Sequence, residues 1–180
     1  MATDTLKIKA FEYVLFKLVE WYKESVNSLE ENDISTLKAL KLLFFVSSVN
    51  TVKDSKDTLL DSPFNNFVAM PYGHVESEIY DSIKRGEITN IEIDNSKTII
   101  RDIDSVLELD SEIKQKIDTA IKKLKEANYK LIQLSSFELV ELSHRWFSWK
   151  KNYQIALQKN IFSSPIAINE IKSEDKFYQI

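Results

Sequence analysis

Two histidines, His74 and His144, are the side chains of this chain best suited to proton transfer or metal ligation near neutral pH. Glu141 stands three residues before His144, the Glu-x-x-His spacing by which carboxylate-bridged metal pairs present two ligands on one helix face. That chemistry needs a second copy of the motif and two further glutamates from other helices, and no second copy exists. A structural His144 is the plainer reading, and no metal or other cofactor is expected. Ser143 neighbours His144, but adjacent residues on a helix do not face one another. A Ser–His nucleophile also needs an orienting acid and oxyanion donors, and no elbow motif supplies them. Glu76, Glu78 and Asp81 share one predicted helix and could divide acid and base roles if burial pushed their pKa values apart. Such acids more often sit on a wetted surface. Glu76 is distinct, because it falls in a predicted first turn, where a carboxylate accepts from free backbone N–H groups and favours the helix dipole. Gly73 and Gly86 alone cannot assemble a phosphate-cradling loop. Cysteine is absent, which removes disulfides, thiolate nucleophiles and Cys-based zinc sites together and fits a reducing cytoplasm.

The elements that must hold these residues are mostly helical. Hydrophobic residues make up 43% and charged residues 29% of 180, an ordinary globular balance that suits one domain with a sizeable core. Three prolines and two glycines leave few backbone breakers. The fold class expected is mainly α: a compact helical domain with a small β-hairpin or short sheet. Residues 6–28 form a first helix, with Ile8, Phe11, Leu15, Leu18, Val19, Tyr22 and Val26 as one stripe. Ser35 or Asp33 caps a second, which runs to about residue 50 and is apolar on most sides after Lys41, as a central buried helix would be. Residues 51–63 are a polar loop closed by Pro63. Residues 70–73 break regular structure, and a helix is expected from near His74 to Arg85, stopped by Gly86. Alternation over 89–102 predicts a hairpin. Asp110 caps a helix over 111–127, and Ser135 or Ser136 precedes another carrying Phe137, Leu139, Val140 and Leu142. Ile166, Ile168 and Ile171 suggest a last short helix. No repeat, low-complexity tract or linker divides the chain.

Charge and hydropathy narrow the partners. Net charge is −4 and the lysines are scattered among acids, so no nucleic-acid footprint is expected. The most basic run, Lys122 to Lys125, reads as a solvated helix face. The start, MATDTLKIKAFEYV, lacks a basic region followed by an apolar run, so no signal peptide is expected. The apolar stretch from Leu42 to Val46 is far short of a membrane span. Tyr72, Tyr80, Trp146 and Trp149 are amphipathic aromatics near polar neighbours. They suit either core packing with a satisfied polar tip or an anchor cluster at a protein interface.

Three segments in order resemble one family: Leu37-Lys38-Ala39-Leu40-Lys41-Leu42-Leu43-Phe44-Phe45, then the run from Phe67 through Met70-Pro71-Tyr72-Gly73-His74-Val75-Glu76 to Ile79-Tyr80, then Glu138-Leu139-Val140-Glu141-Leu142-Ser143-His144. The chain looks like the Panacea domain of bacterial antitoxins, also called SocA-like or GepA-like, over roughly residues 35–150. The family's pattern is an early K-L-L-F/Y, an F-x-A-W/M-x-Y-G-P-V segment leading into I/V-Y, and a late L-S-H. Here His74 stands where the family usually has proline.

The resemblance implies a mostly α fold, no catalytic residues, and a type II antitoxin that neutralises a cognate protein toxin by contact. Family members pair with toxins of unrelated folds, so the resemblance leaves the toxin open. Some relatives carry a DNA-binding segment, but residues 1–34 here are acidic and amphipathic. One relative is a proteolytic adaptor, which would require a second, protease-facing surface. A rival of another class is a stand-alone enzyme using Glu76 and His144. The residues expected to form the partner-binding surface are Lys41, Tyr72, Gly73, Glu76, Tyr80, His144, Trp146 and Trp149.

Overall fold

The structure, a computed structural model, describes residues 3–27 and 31–180. It is mainly α, 56% helical and 9% strand, with small antiparallel sheets. Helix α1 (Thr5–Val26) starts at Asp4, whose carboxylate accepts from the Leu6 amide, and ends at Asn27 in the left-handed conformation. The expected end of this helix at residue 28 lies outside the described residues. Helix α2 (Thr36–Ser48) is capped by Ser35, and Asp33 instead pairs with the Lys38 ammonium at 2.7 Å. Every residue of α2 from Lys38 to Ser48 is buried. This is the central helix that its all-round apolar character predicted.

Helices and strands from several parts of the chain pack around α2, among them α1 and the segment 73–76. Strands β1 (Phe67–Met70) and β2 (Gly73–Glu76) make a tight hairpin, with Phe67 opposite Glu76 and Ala69 opposite His74. The expected helix near His74 therefore begins three residues later, as α3 (Ser77–Arg85), and Gly86 ends it in the left-handed region as expected. The physical reason lies in the turn: Pro71 presets φ at its first corner, Gly73 supplies φ +96°, and the chain must then run extended to pair with β1. All four residues of β2 are buried, so no alternation betrays the strand. The expected hairpin over 89–102 is present as β3 (Ile91–Ile93) and β4 (Thr98–Ile100).

Next come α4 (Ile103–Leu107), α5 (Ser111–Ala127) capped by Asp110, and a 3-10 turn over Tyr129–Gln133. Helix α6 (Ser136–His144) opens with a full capping box between Ser135 and Glu138. Helix α7 (Phe147–Gln158) follows after a break at Trp146, whose backbone is extended. Strand β5 (Ser164–Pro165) adds to β1, giving the order β2-β1-β5, and α8 (Ile168–Ser173) is the expected last short helix. No helix among the described residues is long and apolar enough to cross a membrane.

Candidate functional site

The β1–β2 hairpin, α2 and the α6–α7 junction meet in one place, which brings together the three segments that the sequence singled out. Lys41, on α2, is sealed from solvent and its ammonium donates to the His74 carbonyl. No carboxylate pairs with it among the described residues, and burial lowers its pKa to about 7. Gly73 lies directly beside it. A Cβ built on Gly73 would stand 2.3 Å from Ser143 Oγ and 3.1 Å from Lys41 Nζ, so only a residue without one fits.

His74 fills the space behind the turn. Its ring lies flat on Phe44 at 3.7 Å and edge-on to Trp146 at 5.9 Å. Its backbone N–H donates to Ser143 Oγ at 3.1 Å, a bond that proline could not make. Nδ1 meets Ser143 Oγ and Nε2 meets Ser148 Oγ, both at 2.8 Å. Burial first, and the nearby Lys41 charge second, hold the imidazole well below its ordinary pKa. Ser143 thus finds a histidine, but it is His74 across the fold and not the adjacent His144. Both members of the pair have no accessible surface. A nucleophile needs a substrate within reach, so this contact is built for packing.

His144 faces outward from the same junction. Its Nε2 lies 3.1 Å from the Pro71 carbonyl and its ring stacks on Trp149 at 3.7 Å. Trp149 donates to the Met70 carbonyl at 2.8 Å and stacks in turn on Tyr153 at 5.0 Å. The hairpin turn is therefore pinned at two successive carbonyls, Met70 by Trp149 and Pro71 by His144. Tyr72, at the tip, is 58% exposed.

Glu76 belongs to a second cluster, on the α1 side. Its Oε1 accepts from Lys7 Nζ at 2.8 Å and from the Asn66 amide at 3.2 Å, and its Oε2 accepts from the Ile79 amide at 2.8 Å. The expected role at a helix start is present, with Glu76 as the cap of α3 instead of a residue within its first turn. Burial raises the carboxyl's pKa, opposed by Lys7 and the Ile79 amide. Tyr80, four residues on, is half-buried against the core, and Lys84 lies 4.8 Å from its ring centre.

Of the eight residues expected at a surface, Lys41, Gly73, Glu76 and Trp146 have closed environments. Their side chains are enclosed by the fold, where Lys41, Glu76 and Trp146 find hydrogen-bond partners. Tyr72 is exposed, and Tyr80, His144 and Trp149 are partly so. Among the described residues, no group of three or more His, Cys, Asp or Glu side chains is placed to hold a metal. A cleft of about 460 Å³ lies between the end of α2, the loop after it and α5, and none of the eight lines it.

Three contributors escaped the sequence reading. Lys7 sits four residues before Phe11, in register with the apolar stripe of α1, and a lysine so placed is a signal of buried pairing. Ser148 gave no signal. Glu174 lies far along the chain yet accepts from the Ser148 amide at 3.1 Å, capping α7, whose own N-cap residue Trp146 provides no side-chain bond.

The model of the family described as antitoxin SocA-like, Panacea domain, matches residues 40–150. No curated protein and no solved structure matches the chain.

Proposed function

This chain belongs to the SocA-like antitoxin family of the Panacea domain, and we propose that it neutralises a cognate protein toxin in the cytoplasm by direct contact through the β1–β2 turn and the α6–α7 junction. The observation that carries this reading is the pinned turn. Pro71 is held by His144 and Met70 by Trp149, so exposed Tyr72 is presented on a rigid base. A rigid aromatic loses little conformational entropy on binding and makes an effective anchor. Buried Lys41, His74 and Ser143 fix that base from beneath.

The test is a rescue assay in cells expressing the toxic product of the adjacent reading frame, with pull-down and thermal melting on the same variants. Tyr72→Ala and Trp149→Ala are expected to lose rescue and pull-down, each truncation costing about 2 kcal/mol or more of binding. Tyr72→Ala should melt like the parent, since its ring is mostly in water. Intact rescue by both variants would refute the surface.

A further inference from the structure

The longest acid-free stretch around the site is the one that builds α7. From Leu142 to Asn169 the sequence has no Asp or Glu, yet it carries Arg145, Lys150, Lys151 and Lys159, in a chain whose net charge is −4. Arg145 is engaged with the Gln179 carbonyl and Lys151 with Glu170. Lys150 and Lys159 are exposed and make no ion pair or side-chain hydrogen bond among the described residues. Along the same helix Phe147, Lys150, Gln154 and Leu157 follow a 3-4-3 spacing and are all exposed, Phe147 by 65% and Leu157 by 57%. Such spacing places them on one face. The half-buried stack of Trp149 and Tyr153 flanks that face and joins it to the hairpin turn.

We propose that this outward face of α7 is where an acidic amphipathic helix of the partner toxin docks. The inference rests on the antitoxin reading and names the chemistry of its partner. Phe147 and Leu157 at the two ends of this face, with the half-buried Trp149 and Tyr153 beside them, offer apolar contacts to the stripe of a second helix, as in helix-in-groove recognition. Lys150 on this face selects an acidic flank on it and, with Lys159 just past the helix end, speeds encounter. A second copy of this chain is a poor occupant, because Lys150 would approach Lys150. Two free lysines neutralise too few phosphates for nucleic acid. A helix already docked along one side offers little apolar area to a lipid surface.

The experiment is calorimetric titration of the full-length chain with the purified toxic product of the adjacent reading frame. The variants are Lys150→Glu/Lys159→Glu, Leu157→Glu and the parent. All three positions are exposed, so melting temperatures should match the parent's. The charge reversal is expected to weaken binding about 30-fold, and the parent's affinity should fall as salt rises. Leu157→Glu should weaken binding by at least as much. Parent-like affinity in both variants, with the parent still binding, would overturn the α7 face while leaving the antitoxin reading intact. No binding by the parent would overturn both. Two control arms use anionic phosphatidylglycerol vesicles and a 20-base-pair duplex. Binding to either that the charge reversal abolishes overturns the protein partner, and so does a parent dimer that Leu157→Glu dissociates.

Discussion

The backbone of Gly73 and the hydroxyl of Ser143 are so close that a methyl group on Gly73 would stand 2.3 Å from Ser143 Oγ. This one contact locks the turn of the β1–β2 hairpin onto α6. Ser143 can neither rotate away freely nor be ignored, because the same oxygen serves the amide and the ring of His74.

Gly73→Ala is therefore expected to cost about 2–4 kcal/mol, from a positive φ that alanine resists and from overpacking against Ser143. Gly86→Ala is the control. Its φ is also positive, but nothing lies within 4 Å of the added carbon, and about 1 kcal/mol is expected. Urea denaturation of the two variants separates space from strain. Equal losses would show that the Ser143 contact yields easily.

His74 sets a dependence on pH. In the unfolded chain an imidazole takes up its proton near pH 6.5, whereas in the fold burial delays uptake until well below that. Between those points the unfolded state holds more protons, so stability rises with pH and falls on acidification, by up to about 1.4 kcal/mol per pH unit. His144 and Lys41, also lowered by burial, act in the same direction, while the raised carboxyls of Glu76 and Glu174 act in the opposite one. Their contributions persist in His74→Asn. The loss of urea midpoint between pH 7.5 and 5 should accordingly be smaller in His74→Asn than in the parent, and an equal loss would remove His74 from the acid response.

Lys7 and Glu76 form a buried pair across α1 and the start of α3. Lys7 also donates to Glu78 and Asn65, and Glu76 also accepts from the Asn66 and Ile79 amides, so neither is stranded by loss of the other, and Lys7→Met and Glu76→Ala are each expected to cost about 1–3 kcal/mol. Glu76→Ala also loses the cap on the Ile79 amide. The double variant Lys7→Met/Glu76→Gln should be less damaged than the sum of its single changes. Strict additivity in denaturation would argue against a coupled pair. Loss of toxin rescue by Glu76→Ala is on this basis a folding effect, and its melting curve should show it.

Glu174 caps α7 from a distant part of the chain. Glu174→Ala is expected to cost about 1 kcal/mol, the usual size of a lost N-cap. Hydrogen exchange should show faster opening of the Phe147 and Ser148 amides, with the capped start of α6 unchanged. Unchanged exchange at Ser148 would mean that water replaces the carboxylate without penalty.

Local pattern by itself determined α1, α2, α5 and α6, the central place of α2, the β3–β4 hairpin and the cap at Asp110, and narrowed the caps of α2 and α6 to Ser35 or Asp33 and to Ser135 or Ser136, because each is a signal that water and backbone geometry read within a few residues. The resemblance of three separated segments pointed to the family that the matching residues 40–150 bear out. Local pattern could not yield the β1–β2 hairpin, since β1 is apolar at all four positions and β2 is buried at all four, nor show which histidine Ser143 meets. It could not separate Trp146, sealed in the core, from Trp149, half open beside the turn, although both are tryptophans three residues apart. That separation is tertiary: the chain turns extended at Trp146 and drives its ring onto Phe44. Its indole donates to the Phe177 carbonyl, whereas Trp149 is left to stack on His144. Burial of Lys41, Glu76 and Lys7 follows the same logic, because a charge is taken inside only where partners from distant segments arrive together, and their arrival is a property of the whole fold.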